Sequence, residues 1–419
     1  MNNDISSLRE CAKRVMEIAQ KPVQEERKKN WSRLNSFQLD RPLIYVRAFA
    51  FEEFFEKKIL KCIDPFLRTY ETLFHMHLFR DAIKDDYIIE PWVRLKPVFS
   101  QPNIARWGVK TDLTSTMAED VDIGYQSHVK AAAFDAQIIE EEDVDKLIIP
   151  KHAIDEKSTK LRYEILSEAI GDIIPVALDR GPQFKDFTGD ISADLAKIRG
   201  LEQIMWDVSD RPEWLHKLIA FMRDGILKCQ NEAEEASDYS LINHENQAMP
   251  YATELMRPKN GVYNIKRNEL WGYMASQEFT MFGPEMFDEF LLQYQLPILK
   301  KYALVAYGCC EDLSQKIDKL KQIPNLRRIS VSPFANVRKC AEKIGSDYII
   351  SFRPNPSTMI ANGLDEEYLR TFLKGNFEIL KLNKCRFDIT LKDVETVNKQ
   401  PENVMRWVQI VREEIERAF

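Results

Sequence analysis

The stretch VAYGCCEDLS, residues 305–314, sets Cys309 and Cys310 side by side at the end of an apolar run and follows them with Glu311 and Asp312. A thiol there, just ahead of the helix-like EDLSQKIDKLKQI, sits where backbone amides and a helix dipole favour a thiolate. Adjacent side chains diverge, so one sulfur is expected inward and the other packed. Two inert buried cysteines are the plain alternative, since free cysteine often behaves as a small core hydrophobe. The two acids tip the reading towards a polar site. A zinc ion would need three or four Cys, His, Asp or Glu ligands converging from different loops. Candidates are Cys309, Cys310, Glu311, Asp393 and, from loops before the pair, Glu278 and His244. No CxxC or HExxH spacing accompanies them. His75, His77 and His216 lie on helical patterns and read as packed or surface side chains.

A second set is basic. Arg47, Arg94, Arg180, Arg353 and Lys392 each fall at the end of a strand-like run, Arg353 in SFRPNPS and Lys392 in TLKDVET. Gathered at one pocket they would bind carboxylate or phosphate through charge-assisted hydrogen bonds. Ordinary pairing with the many nearby acids is the alternative.

Eight short apolar runs must position these groups: 41–47, 87–95, 172–179, 270–276, 302–307, 327–332, 347–352 and 386–391. Between them lie amphipathic stretches such as PEWLHKLIAFMRDGILKC and DEEYLRTFLKGNFEILK. Strands alternating with helices give parallel β/α units, and eight such units give a closed (β/α)8 TIM barrel, an α/β fold; an open doubly wound sheet is the competitor. The loops GCCED, PFAN, RPNPS and KDVET would then meet at the C-terminal rim, where such barrels hold their active sites. Residues 1–35 read as an N-terminal helical extension and 36–419 as the barrel. Stretches 100–165 and 230–268 break the repeat and are expected as insertions over the rim.

Composition narrows the function. With 44% hydrophobic and 30% charged residues, the 419-residue chain can bury a large core. A net charge of -7 offers no basic field for nucleic acid. No window approaches 18 uninterrupted apolar residues and the N-terminus lacks a secretory apolar core, so no membrane partner is expected. Seven scattered cysteines suit a reducing, cytoplasmic setting. With 14 glycines and no GxGxxG, GxxxxGK[ST] or GxSxG, nucleotide and esterase sites are absent.

Four segments together resemble the uroporphyrinogen decarboxylase superfamily, closer to its corrinoid-linked methyltransferases of methanol, methylamine and aromatic ether metabolism than to its porphyrin decarboxylases. RPLIYVR looks like the first strand, ending in arginine, and RGLEQIMWDVSDRPEWLHKLIAFM like the helix, drPe turn and next helix. WGYMASQEFTMFGPEMFDEFLLQYQLPILKKY is similar to the strand and SPE-type helix before the metal strand, and CRFDITLKDVETVNKQPENVMRWVQIVRE to the last strand and closing PENV helix. The resemblance implies a TIM barrel that moves a methyl group between a small methylated or methoxylated substrate, or a thiol acceptor, and a corrinoid. Lacking a DxHxxG motif, the chain would meet that corrinoid on a separate protein. Zinc is the implied metal and a homodimer the implied assembly. In this frame Glu311, Asp393 and Lys392 are the catalytic candidates. Arg47, Arg94, Arg180, Tyr307, Arg353 and Glu278 are the substrate-binding candidates, and Cys309, Cys310 and His244 the metal ligands. Two departures stand out. Arg47 is followed by AFAF, with Phe51 where porphyrin decarboxylases carry a second arginine. Tyr307-Gly308-Cys309 stands where the zinc enzymes have His-x-Cys, and Asp393 stands close to their last cysteine. A cofactor-independent decarboxylase or lyase using the rim arginines, and a non-catalytic small-molecule-binding barrel, are the alternatives.

Overall fold

A computed structural model describes residues 2–48, 50–54, 59–101, 105–109 and 136–419. Each of the eight apolar runs contains a strand: β1 (Leu43–Ala48), β2 (Val93–Leu95), β3 (Val176–Leu178), β4 (Trp271–Met274), β5 (Leu304–Tyr307), β6 (Leu326–Val331), β7 (Ile349–Phe352) and β8 (Arg386–Val394). Six form a curled parallel sheet in the order β1-β8-β7-β6-β5-β4, a half-barrel, and β2 and β3 pair separately. The first strand lies beside the last, from Leu43 opposite Asp388 to Arg47 opposite Lys392. This is the pairing that closure of a barrel requires.

The expected run of eight laddered strands is interrupted at two seams, where side chains join isolated backbone hydrogen bonds in place of a continuous ladder. Beside β1, the Asp86 and Asp85 carboxylates accept from Ile44 N at 2.8 Å and Val46 N at 2.9 Å. Between β3 and β4, Asn243 donates to Asp179 at 2.6 Å and Glu245 N donates to Trp271 O at 3.2 Å. The segment expected over the rim, 230–268, therefore does something else. Its first residues finish the helix Pro212–Glu235, its middle fills the β3/β4 seam, and Met249 and Tyr251 pack with Trp31 and Leu34 beneath the strands. Of the other expected insertion, 100–165, residues 102–104 and 110–135 lie outside the described residues.

Alternation along the strands separates two faces. Phe387, Ile389 and Leu391 of β8 join Ile329, Val331, Ile350 and Phe352 in the main core under the helices. The opposite face is polar: Arg328 of β6 pairs with Asp388 of β8, and Ser351 and Thr390 donate to the same carboxylate at 3.2 and 2.6 Å. The N-terminal helices cover this end. α2 (Pro22–Asn35) places Asn35 where its Oδ1 accepts from Arg328 at 2.6 Å and its Nδ2 donates to the carbonyls of Met249 and Tyr251. α1 (Asn2–Ala19) buries Leu8, Val15 and Ile18 in a second core with the helix Pro65–Ile83 and the β2/β3 ribbon. Among the described residues, no helix is long and apolar enough to cross a membrane.

Removing one partner of a buried ion pair leaves the other charge uncompensated. Asp388 and Arg328 are 0% and 2% exposed. Asp388→Ala is therefore expected to lower stability by about 3–5 kcal/mol in chemical denaturation.

Candidate active site

The site forms where β5, β7 and β8 end. β5 stops at Tyr307, and Gly308 turns the chain at φ +97°, where a Cβ would lie 2.5 Å from Leu313. The turn is fixed from both sides. The Gly308 carbonyl accepts from Ser330 Oγ at 2.6 Å, and the Glu311 carboxylate accepts from Cys309 N at 2.7 Å and Ser276 N at 2.8 Å. Arg353, just past β7, donates to the Cys309 carbonyl at 2.8 Å. Glu311 is thus a clamp that positions the loop, with both oxygens committed to backbone amides.

β8 supplies two consecutive side chains to the sulfurs. In the β1/β8 register Arg47 faces Lys392 while Ala48 faces Val394, so Asp393 is the extra residue of a bulge, at φ +57°. Bulges re-aim side chains at sheet rims, and aspartate tolerates the left-handed conformation better than most residues. Lys392 Nζ consequently reaches Cys309 Sγ at 2.6 Å and Cys310 Sγ at 3.5 Å. Cys310 Sγ donates to Asp393 Oδ2 at 3.0 Å, and the two sulfurs are 3.3 Å apart. Cys309 and Lys392 are buried, at 1% and 6% exposed, and Cys310 is half-buried.

These contacts divide one proton unequally. The hydrogen bond between the two sulfurs, with the positive charges of Lys392 and Arg353 behind it, outweighs burial and brings the Cys309 thiol down to about 6. Cys310 moves the other way, first because of that same hydrogen bond and then through burial, and keeps its proton. The pair behaves as a dithiol holding one proton and one negative charge. The other five cysteines are buried, and burial pushes the thiols of Cys11, Cys62, Cys229, Cys340 and Cys385 up to about 11 or 12.

Of the residues singled out in the sequence, Cys309, Cys310, Lys392, Asp393, Arg353 and Glu311 come together. The rest do not join them. His244 Nδ1 accepts from Trp271 N at the start of β4, about 10 Å below the strand's far end at 3.3 Å per residue. Burial holds its imidazole neutral, with its pKa down to about 3. Tyr307 falls on the outward phase of β5 and donates to Gln295 at 2.7 Å in the helical layer. Arg94 lies 3.4 Å from Asp179, and Arg180 binds Asp238 and Glu156. Arg47 is beside Lys392 in register but binds Gln247. The expected arginine pocket is therefore not assembled. Glu278 accepts from Ser192 at 2.7 Å. It neighbours the fully buried Asp190, whose carboxyl is raised by burial and then by the charge of Glu278.

Nor does the zinc set fit. His244 is elsewhere, both Glu311 oxygens are occupied, and the cation against Cys309 is the Lys392 ammonium. Among the described residues, no three His, Cys, Asp or Glu side chains group as a metal site. Sequence reading also missed Phe187, whose ring lies 5.7 Å from Lys392 Nζ, and Ser276, which shares Glu311.

Above the sulfurs opens a cavity of about 300 Å³, lined by Cys310, Asp393, Phe334, Asn355, Glu395 and Thr396 among others. Among the described residues, no Lys or Arg lines it. A larger cavity, about 560 Å³, lies on the outer helices by Arg338, Phe372 and Leu382.

Lys392→Met should move the lowest thiolate titration, followed by ultraviolet absorbance, upward from about 6. Arg353, Cys310, Glu311, Asp393 and Tyr273 remain around the sulfur in that variant. Because the folded-state value is depressed, the pairing adds stability above the ordinary thiol range, and this is lost as pH falls through about 6. An unshifted titration would show that Lys392 does not hold the thiolate.

No family model matches the chain, and no curated protein matches its sequence. In three dimensions it is similar to a methyltransferase from Methanosarcina mazei, with a TM-score of 0.51 at 10% identity, covering 92% of this chain and 98% of that one. The likeness is one of fold.

Proposed function

We propose that the chain is a methyltransferase built on a (β/α)8 barrel whose two unladdered seams are sealed by side chains, and that the sulfur pair is its proton carrier. The observation that carries this reading is the Cys309–Cys310 sulfur pair, met by Lys392 at 2.6 Å beneath a cavity of about 300 Å³. A general acid or base works best when its pKa lies near the working pH, and Cys309 at about 6 meets that condition in either direction. As a base, the pair takes the proton of an acceptor thiol or hydroxyl through Cys310. As an acid, it returns a proton to the oxygen or nitrogen that a methyl group leaves. A corrinoid presented by a separate protein would supply or receive the methyl group. A cavity of about 300 Å³ suits a small substrate and leaves a macrocycle at its mouth, where Phe334 is 72% exposed. Asp393 and Glu395 are the charged side chains among the described residues of the lining, and they favour a neutral or cationic substrate over a carboxylate. The decarboxylase reading needs cations in the lining, and the described lining residues supply none.

Incubation with a corrinoid protein, methylated for a panel of thiols and reduced to cobalt(I) for methoxylated aromatics and methylamines, should change the cobalt absorption spectrum in a substrate-dependent way. Cys309→Ser should slow that change by about 10²–10⁴-fold, the usual contribution of general acid–base catalysis. No spectral change with any substrate would overturn the reading, and calorimetric binding without turnover would mark a binding protein.

A further inference from the structure

Two sulfurs 3.3 Å apart, one of them a lysine-paired thiolate, have a chemistry of their own. We propose that Cys309 and Cys310 form a hydroperoxide-reactive dithiol that closes reversibly to a vicinal disulfide. Cys310 lines the cavity and meets the oxidant, while Cys309 lies behind it, 1% exposed. As Cys310 passes its proton to Cys309, its sulfur attacks the distal oxygen of the hydroperoxide. An S–O bond forms, the O–O bond breaks, and the departing alkoxide or hydroxide takes the proton from Cys309. Cys309, again a thiolate beside Lys392, then attacks the Cys310 sulfenic acid. The S–S bond forms, the S–O bond breaks, and hydroxide leaves as water with a proton drawn from solvent through Lys392. Two thiols are oxidised, one peroxide O–O bond is reduced, and the products are an alcohol, or water, and water.

The geometry favours this resolution over further oxidation. The sulfurs need approach only from 3.3 Å to about 2.05 Å, and no other cysteine sulfur is recorded in contact with either among the described residues. The bond is also easily reversed. Consecutive Cα atoms are about 3.8 Å apart, below the roughly 4.4–6.8 Å that an unstrained disulfide prefers, and such strain makes a disulfide more reducible. Oxidation removes the negative charge facing Lys392, which keeps Asp393 at 3.5 Å and the Phe187 ring at 5.7 Å. Oxidation should therefore switch the proton carrier off.

The test is intact-mass and peptide-mapping spectrometry of the full chain treated with hydrogen peroxide. The expected product is lighter by two hydrogens, carries a bond between Cys309 and Cys310, and reverts with dithiothreitol. Cys309→Ser, in which Asp393 at 3.0 Å is left to take the Cys310 proton, should instead accumulate, more slowly, a dimedone-trapped sulfenic acid at Cys310, with its circular dichroism melt recorded to confirm folding. Sulfinic or sulfonic acid at either sulfur of the native chain without a bond between them, or no reaction at peroxide levels that oxidise a free cysteine peptide, would overturn the proposal. The mass readout is independent of methyl transfer, so failure of one reading leaves the other standing.

Discussion

A buried ammonium against a thiolate organises this molecule. Lys392 is almost fully enclosed, and a charge taken out of water is costly unless it meets a partner and hydrogen bonds. The partner is Cys309, and the loop that carries it is held by the Gly308 turn, the Glu311 clamp and the Arg353 contact. β1 beside β8 fixes the strand that delivers the lysine. Each of these features is ordinary alone. Together they make one sulfur anionic and leave its neighbour a proton donor.

The same face of the sheet carries a second buried pair one layer down. Arg328 and Asp388 sit under the site, sealed by Asn35 of α2. The strand interior is therefore polar from end to end, with Asp388, Thr390 and Lys392 alternating against Phe387, Ile389 and Leu391. A polar interior needs complete hydrogen bonding to be stable, and the N-terminal helices contribute by closing it from below.

Much of this was legible in the sequence. The eight apolar runs each hold a strand because Val, Ile, Leu and aromatic residues suit a covered parallel sheet. The strand-end positions of Cys309, Cys310, Arg353 and Lys392 were readable because parallel β/α units send those ends to one rim. The seams were not readable, because Asp85, Asp86 and Asn243 add side-chain acceptors and donors to isolated backbone bonds, and these leave no periodic signal. Tyr307 was misassigned by one step of alternation, which sends it to the helices. His244 was misassigned because loop membership does not tell which end of a strand a loop visits. The sequence presents Lys392 as an anion binder, and only the folded chain pairs it with sulfur.

The bulge at Asp393 works as a phase slip in the strand's alternation. Before it, odd-numbered residues face the helices; after it, Val394 takes that face, fully buried in the main core. One residue thus serves two sides at once, aiming a carboxylate at Cys310 and returning the chain to the correct phase for the core. The sequence space open to this position is narrow for a reason unrelated to acidity: a β-branched side chain there would resist the left-handed backbone and unseat Val394 as well as the hydrogen bond. The chemistry of the rim and the packing behind it are inherited together, through a single backbone angle.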